Sequence, residues 1–560
     1  MASLLTAGEL DPITVEVVRH KIEGIANEME ETLLRSSFSP IVKEGLDASA
    51  SLFLPDGTTL AQACAIPIHL ATLIPAVAAI VETYPVGGMS EGDLYLLNDP
   101  YSGGTHLPDL ALVMPVFHDG RVVALSAAMT HHQDVGGMSP GSVPTDATEI
   151  FQEGIRIPPV RLRHGKAFDD TLLRMLKLNV RMPEVFMGDL NAQIAACTVG
   201  ARRLGELASA HGGNEIRAIF QSLIERSEAM TRAALGKLPA GSYRHVSYLD
   251  NDGIELDKPI RIEVEARIAD GAIHFDFTGS SPEVKGPLNC VPSGTQAAAF
   301  FAVRAVTDPE IPTNGGCFRP VTLTLPEGSV VNPRPPAPVN ARTATIKTIT
   351  NTILGALAQA APERLPAMNA GALLVLAFGG RRRDGSAFVV GDLIAGGSGA
   401  GASADGVDVI ETDASNCMNL SAEALEMEAP IRLLQCRLRT DSGGAGRHRG
   451  GLGVVREYEM LADGIRLSHR GERHVSPAEG LAGGGAGATA HSVIHRADGR
   501  DEVILSKIAT RLDKGDRLTV ATAGGGGHGA AVARDPEALA RDIADGKVSR
   551  PAAERQYGAD

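Results

Sequence analysis

The sequence predicts an α+β protein with more than one domain. Its 560 residues exceed what one hydrophobic core usually supports. Helical periodicity, alternating strand patterns and glycine-rich segments also occupy different stretches of the chain. We predict a mixed helix-and-strand domain over 1–168 and a helical hairpin or bundle over 169–240. A β-rich region over 241–335 follows, and then a helix and a glycine-rich, mostly β region over 336–560.

The first region begins with an amphipathic helix. Asp11 is suited to cap it and Pro12 to occupy its first turn, and apolar residues then recur at helical spacing until Ser36. Segment 49–61 alternates and turns at Pro55-Asp56-Gly57 like a hairpin. A further helix is predicted from His69 to about Thr83. Strands are predicted over 93–97, 110–117 and 122–129.

The pattern changes twice further along. Residues 169–238 are periodic like helices, with a break at Met182-Pro183. After Gly241 the chain alternates like strands, including two runs joined by Ala269-Asp270-Gly271. A proline-rich connector near 330–340 precedes another helix.

Composition excludes several classes of protein. A net charge of −15 opposes extended contact with nucleic acid, which depends on lysines and arginines that neutralise phosphates. No apolar run reaches the roughly 20 residues that span a bilayer. The first twelve residues lack the features of a secretory signal, so we expect a cytoplasmic protein with no membrane partner. The six cysteines are scattered without a C-x-x-C pair, and we expect them to be buried small apolar residues.

Residues 96–137 contain the densest group of chemically active side chains. They are His106, Asp109, His131, His132 and Asp134. If Asp119-Gly120 forms a two-residue hairpin loop, Asp109 faces Thr130 and Pro108 faces His131, so the two His/Asp segments meet at the open end. Imidazoles and carboxylates gathered in this way suit Zn²⁺, Mn²⁺ or Fe²⁺. The sequence therefore predicts a site for one divalent metal ion.

Two choices at this site stay open in the sequence. Strand alternation pairs His131 with His106 and His132 with Asp109, but Pro108 interrupts the ladder, so alternation cannot decide which histidine binds. Upstream, either Glu44 or Asp47 could complete the ligand set. The alternative is that these histidines only bind loop carbonyls. Their convergence from two segments favours a metal site.

Three glycine-rich loops lie at 396–406, 442–453 and 524–529. None contains the G-x-x-x-x-G-K-[ST] pattern of a phosphate-binding loop, so close backbone packing or subunit contact is the better interpretation. Within the second loop, Arg447, His448 and Arg449 would either meet an anionic group or solvate the loop. No G-x-S-x-G segment indicates a serine nucleophile.

Several segments, in order along nearly the whole chain, resemble the hydantoinase B/oxoprolinase subunit family. They are DPITVEVVRHKIEGIANEMEETLLRSSFSPIVKEGLD, NDPYSGGTHLPD, ATEIFQEGIRIPPVRL, FDFTGSSPEVKGPLN, PTNGGCFRP, SGGAGRHRGGLG and DGKVSRPAAERQYG. The family includes N-methylhydantoinases, 5-oxoprolinases, caprolactamase and the catalytic subunits of acetone and acetophenone carboxylases.

The resemblance implies a metal held by Asp47, His106, Asp109 and His131, with Glu44 as the alternative to Asp47. His132 and Asp134 would orient the ligands or move protons. It also implies a separate A-type subunit that binds ATP-Mg and phosphorylates the amide or enolate oxygen. The B-type subunit, in a hetero-oligomer, would then open a small cyclic amide with metal-activated water.

Two rival functions follow from the same residues. One is the metal-dependent subunit of an ATP-dependent ketone carboxylase, in which a phosphorylated enol meets activated bicarbonate. The other is a non-catalytic scaffold subunit whose histidines are structural. Bicarbonate-dependent use of a ketone would favour the first, and full activity of a complex containing metal-free protein would favour the second.

The absence of a phosphate-binding loop generates a prediction. The isolated chain should not bind Mg-ATP tightly, because its glycine loops lack the lysine and the serine or threonine that contact phosphates. Calorimetric titration with Mg-ATP measures this. Micromolar binding by this chain alone would contradict the assignment of ATP to a partner.

Overall fold

The computed structural model describes residues 10–63, 66–371 and 373–558. Its helices are α1 (Pro12–Ser36), α2 (Pro40–Lys43), α3 (Leu73–Thr83), α4 (Asp170–Asn179), α5 (Pro183–His211), α6 (Gly213–Leu235), α7 (Pro292–Val306), α8 (Gly315–Phe318), α9 (Arg342–Leu357), α10 (Ala422–Glu428), α11 (Pro536–Ala544) and α12 (Arg550–Ala552).

The strands form separate, largely antiparallel sheets. They are β1 (Ala48–Phe53), β2 (Thr59–Gln62), β3 (Leu94–Leu97), β4 (Asp109–His118), β5 (Arg121–His131), β6 (Val160–His164), β7 (Ala167–Phe168), β8 (Gly241–Leu249), β9 (Ile260–Ala269), β10 (Ala272–Asp276), β11 (Val321–Thr324), β12 (Leu374–Arg381), β13 (Ala387–Ile394), β14 (Ile431–Leu438), β15 (Val454–Met460), β16 (Ile465–Arg470), β17 (His491–His495), β18 (Asp501–Ile504), β19 (Lys507–Leu512) and β20 (Arg517–Ala521). The predicted α+β, multidomain class is confirmed.

The first sheet has the order β2-β1-β5-β4-β3-β6-β7, and helices cover both of its faces. On one face α1 and α5 pack on even-numbered residues of the central strands, such as Leu110 and Leu112. On the other face α3 packs on odd-numbered residues, such as Ala111 and Val113. Successive residues of a strand point to opposite faces, so one strand contributes to two cores.

The predicted starts of two helices are confirmed. The Asp11 carboxylate accepts bonds from the backbone N–H groups of Ile13 and Thr14 and caps α1. Pro183 begins α5, where its missing N–H is not needed. The helix predicted from His69 begins later, because Pro67–Leu70 form a short 3₁₀ turn before α3.

The middle of the chain forms a second sheet with the order β11-β10-β9-β8. Helices α7 and α9 pack against it and against each other, and bury a continuous apolar core. The expected hairpin at Asp270-Gly271 joins β9 to β10. Burial on one face of this sheet thus holds α9 in place.

Two further sheets, β13-β12-β16-β19 and β14-β15-β20-β17-β18, share a core in the last part of the chain. The glycine-rich loops pack backbone to backbone here. A Cβ on Gly397 would lie 1.9 Å from the Gly451 carbonyl oxygen, and one on Gly525 would lie 1.9 Å from the Ser398 carbonyl oxygen. Glycine is therefore needed for space, as the sequence predicted.

Some side chains differ from their predicted environment. Cys436 is exposed on β14, whereas Cys197, Cys290, Cys317 and Cys417 are buried as expected. Cys64 lies outside the described residues. Arg449 is buried and pairs with Asp408 and Asp542, so it neither solvates its loop nor is free for an external anion.

No helix among the described residues is long and apolar enough to cross a membrane. The boundaries at 168, 240 and 335 stay predictions.

Glu153 joins the first sheet region to the segment before α9. It is buried, and its carboxylate accepts bonds from the backbone N–H groups of Val339 and Asn340 at 2.8–3.2 Å. Burial raises the pKa of Glu153 to about 8, although the two backbone donors oppose this shift. The group therefore favours the folded state fully below pH 4.5, and this contribution is lost as pH rises toward 8.

We predict that Glu153→Gln raises the unfolding temperature by about 1–2 °C at pH 8 and has little effect at pH 5, because glutamine has no charge to bury. Thermal unfolding followed by circular dichroism between pH 5 and 8 measures this. Glu363→Gln, on the surface, is the matched control. A stabilisation equal at both pH values would contradict the prediction.

Candidate metal site

Three neighbouring strands place a carboxylate, an imidazole and a carboxylate side by side. Asp109 at the start of β4 pairs directly with His131 at the end of β5. Asp47 immediately precedes β1, and its carbonyl accepts the backbone N–H of His131 at 3.1 Å. All three residues are odd-numbered, and the odd-numbered residues of these strands lie on the face that α3 covers.

This pairing differs from the predicted register. The Asp119-Gly120 loop is present, and both residues have the positive φ of a type I′ turn. A bulge between Val116 and Phe117 then shifts the ladder by one residue. The prediction that Asp109 faces Thr130 and Pro108 faces His131 is therefore wrong, since a bulge moves all later residues to the other face.

His106 reaches the same place from the loop before β4. Its Nδ1 lies 2.9 Å from Asp109 Oδ2, and its ring centroid lies 5.0 Å from that of His131. The Thr105 hydroxyl donates to Asp109 Oδ2 at 2.5 Å. These contacts fix the carboxylate and the ring relative to each other.

His106, Asp109 and His131 could hold a metal ion. Each has one potential ligand atom, and these atoms all lie within 4.8 Å of one another. Asp109 Oδ1 and His131 Nδ1 are buried without a hydrogen-bond partner among the described residues. Buried polar atoms are normally paired, so the unused acceptor atoms fit a cation.

Arg342, the first residue of α9, closes the site from a distant part of the chain. Its Nη2 donates to Asp109 Oδ2 at 2.5 Å and to the Thr105 hydroxyl at 3.0 Å. Arg342 is 3% exposed and Asp109 is 1% exposed. The guanidinium thus neutralises Asp109 and leaves Oδ1 for another ligand.

The electrostatics keep the imidazoles neutral and Asp109 ionised. Burial lowers the pKa of His106 to about 4, and Arg342 adds to this effect. Burial and the nearby His106 also hold the pKa of His131 well below its usual range. Burial acts against ionisation of Asp109, but His106 and Arg342 outweigh it and hold the pKa of that carboxyl well below its usual range. Neutral imidazoles and an ionised carboxylate are the forms that bind metals.

Asp47 and His69 lie at the edge of this group. Their Oδ1 and Nε2 atoms are 3.8 Å apart. Burial and the charge of Asp109 raise the pKa of Asp47 to about 7, and burial lowers the pKa of His69 to about 4. His69 Nδ1 is another buried atom without a partner among the described residues. A cation nearby would favour the ionised form of Asp47.

Asp47, His69, His106 and His131 line one cavity with about 870 Å³ of empty space, open solvent included, and Asp109 is not part of the lining. Arg342, Arg470, Gln133 and Cys417 also line it. The remaining wall is largely apolar, and it includes Ile66, Ile68, Leu373, Val375, Ala377, Val389 and Leu393. The cavity therefore suits a small ligand with an apolar body and a few polar groups.

The other predicted site residues lie outside the cavity lining. Glu44 is exposed after α2. His132 lies on the opposite face of the sheet, where its Nε2 is 3.0 Å from Gln193 Oε1 and its ring packs on Phe186. Asp134 pairs with Arg181 at 2.9 Å and accepts backbone N–H groups of its own loop.

Among the lining side chains that sequence reasoning missed are His69, Gln133, Arg342 and Arg470. Arg342 and Arg470 are far from the His/Asp segments in sequence and belong to other sheets and helices. No local motif marks them. Gln133 directly follows the two histidines and was accessible to sequence reasoning as a polar neighbour.

Comparison with known proteins identifies relatives over the whole length. The family model described as Hydantoinase B/oxoprolinase matches residues 11–531. The beta subunit of the caprolactamase of Pseudomonas jessenii is 33% identical over 565 residues, which is 98% of this chain and 96% of that relative. The B subunit of a putative D-/L-hydantoinase of Pseudomonas sp. (strain NS671) is 31% identical, over 98% of this chain and 95% of the relative.

Solved structures agree with these matches. The crystal structure of the ATP-dependent caprolactamase from Pseudomonas jessenii has a TM-score of 0.91 at 30% identity, covering 98% of this chain and 96% of that chain. Nucleotide-free acetone carboxylase has a TM-score of 0.92 at 22% identity, covering 98% of this chain and 80% of that chain. The second likeness shows a shared fold.

The facing directions of His131 and His132 generate a prediction. His131→Ala should remove most of the bound metal, because its ring joins His106 and Asp109. His132→Asn should leave it, because that ring faces α5. We expect close to one divalent ion per wild-type chain and at least about a tenfold loss of affinity in His131→Ala.

Elemental analysis of the purified, dialysed proteins measures this, and near-ultraviolet circular dichroism checks their folding. Equal metal content in wild type and His131→Ala would contradict the proposed ligand set. Loss of metal in a folded His132→Asn protein would show that the metal lies on the α5 face of β5, and would contradict the prediction.

Proposed function

The chain belongs to the hydantoinase B/oxoprolinase family, and we propose that it is the B-type subunit of an ATP-dependent cyclic-amide hydrolase. The observation that carries the proposal is the buried His106–Asp109–His131 group at the wall of an apolar cavity. An A-type subunit with bound ATP-Mg would phosphorylate the amide oxygen of a hydantoin, lactam or 5-oxoproline type ring. This chain would then open the activated ring.

We propose Asp47, His106, Asp109 and His131 as the metal-binding residues. Asp47 is favoured over Glu44 because it lines the cavity next to His131, whereas Glu44 is exposed. When bound, a divalent ion of zinc, manganese or iron would make water a better nucleophile at neutral pH. His132 and Asp134 would act indirectly, since they hold the ends of the strand and loop on which His131 lies.

The chain's own side chains suit a ring amide. Gln133 donates to the Val389 carbonyl and so fixes its amide group, and its Oε1 is buried without a donor among the described residues. That oxygen can accept the N–H of a cyclic amide. The apolar wall favours the methylene groups of the ring and excludes bulk water, which protects an activated amide from unproductive hydrolysis.

Ring opening is favoured over the two rival functions. The relatives that are at least 30% identical include a caprolactamase and a putative hydantoinase, whereas acetone carboxylase shares only the fold at 22% identity. A scaffold role leaves unexplained the unpaired, buried ligand atoms of Asp109 and His131.

We predict that Asp109→Asn impairs ring opening by this chain without preventing phosphorylation of the amide by the A-type subunit. The variant keeps the size of the side chain but removes the negative charge that the metal and Arg342 share. Ring opening should fall by at least about 100-fold. Phosphorylation by the A-type subunit does not need this carboxylate and should remain possible. The assay mixes the variant with an A-type subunit, ATP and caprolactam, and follows phosphate release and ring-opened product separately.

The control is Asp99→Asn, which removes another buried carboxylate that is paired with Arg156 and does not line the cavity. It should retain product formation. Because Asp109→Asn leaves Arg342 without its partner, folding is checked by circular dichroism first. Normal ring opening by Asp109→Asn would remove this site from the mechanism. Bicarbonate-dependent consumption of acetone by the wild-type complex would favour the carboxylase.

A further inference from the structure

Arg470, at the end of β16, is a buried cation that lines the cavity. It is 8% exposed. Its Nη1 donates to Asn340 Oδ1 at 3.0 Å and approaches the Asn340 carbonyl oxygen at 3.4 Å. No carboxylate of the described residues lies within ion-pair distance, and its other N–H groups have no partner there. A guanidinium has five donors, so most of its capacity is unused.

The lack of a carboxylate partner is unusual among the buried arginines that the structure describes. Arg342, Arg449, Arg456 and Arg534 each pair with a carboxylate. Arg473 also lacks such a pair, but it does not line the cavity and donates to the Pro477 carbonyl. A buried charge without a counterion is costly, so an unpaired guanidinium in a cavity is suited to bind an anion.

The other charges of the cavity do not supply that anion. Glu153 and Glu472 attract Arg470 only from beyond ion-pair distance, and Glu472 is itself paired with Lys507. Asp109 is already paired with Arg342. Burial lowers the pKa values of His69, His106 and His131, so these rings are neutral at neutral pH. Asp47 lies 3.8 Å from His69 and forms no ion pair with Arg470. A divalent metal at the proposed site would add further positive charge. The cavity therefore has an excess of positive charge that a ligand must balance.

We propose that Arg470 binds an oxyanion carried by the substrate of this cavity, and that it thereby selects small apolar rings that bear one negatively charged group. The group is either a phosphoryl group or a carboxylate, because both accept two parallel N–H bonds from a guanidinium. The apolar wall formed by residues such as Leu373, Val375 and Leu393 contacts the ring itself. This inference rests on the proposed function, in which phosphorylated cyclic amides occupy the cavity.

The test compares three probes that share one apolar ring: cyclopentyl phosphate, cyclopentanecarboxylate and the neutral cyclopentanecarboxamide. Calorimetric titration uses the full chain after chelator treatment and again after reloading with Zn²⁺. We expect at least one anionic probe to bind about tenfold more tightly than the carboxamide in both forms. Preference for cyclopentyl phosphate assigns Arg470 to the phosphoryl group, and preference for the carboxylate assigns it to a carboxylate on the ring.

Arg470→Gln should abolish this preference, with about a tenfold loss of affinity for the anion and little change for the carboxamide. Arg466→Gln is the matched control, since it removes the same charge from an exposed position of the same strand. If Arg470→Gln does not fold, Arg470→Lys replaces it, and affinity should fall at least threefold because lysine lacks the planar pair of donors.

Three results would overturn the proposal. They are equal binding of all three probes to wild type, unchanged anion affinity in the folded Arg470 variant, and anion binding that depends on Zn²⁺ alone. The titrations need neither ATP nor an A-type subunit. Arg470-dependent binding of the anionic probes without any ring opening would therefore reject the proposed function and support the role of Arg470. Ring opening without a preference for the anionic probes would support the proposed function and reject the role of Arg470.

Discussion

The buried ion pair between Asp109 and Arg342 holds the site together. Its two residues are 233 positions apart in the chain, and both are almost completely buried. Removing one partner of such a pair typically costs about 3–5 kcal/mol, because the other charge stays buried without compensation. The pair joins the end of the first sheet to the start of α9, and α9 is itself fixed in the core of the second sheet. It also keeps Asp109 ionised beside neutral imidazoles, so the same contact determines both position and chemistry.

A single bulged residue decides which histidine reaches this pair. Val123 is the extra residue in β5, and it shifts the register so that His131 lies opposite Asp109 on the α3 face. Without the bulge, His132 would share that face and His131 would point to α5. The bulge places two successive residues on one side of the strand, since Val123 and Ala124 are both buried in the core on the α1 and α5 side. Bulges near functional sites commonly re-aim one side chain in this way.

The last part of the chain supplies the opposite wall of the cavity. Strands β12, β13 and β16 contribute its apolar surface and Arg470. These strands are connected to loops whose backbones lie so close that a Cβ atom would clash at several glycines, including Gly397 and Gly525. Close backbone packing gives a rigid support without large side chains. The glycine-rich composition, which suggests a phosphate loop at first sight, therefore serves the placement of the cavity wall.

The sequence alone determined the local features of this protein. Helical periodicity, caps, hairpin turns and the His/Asp segments are set by residues a few positions apart, and a His/Asp cluster that could hold a metal ion at the open end of the β4–β5 hairpin was predictable from them. The resemblance of ordered segments along the chain identified the family. Tertiary structure decided the rest. The bulge depends on the fit of β5 between two cores, and Arg342, His69 and Arg470 reach the cavity through packing between distant elements. Such contacts leave no periodic or spaced pattern in the sequence, because they arise only when separate hydrophobic faces are buried against one another.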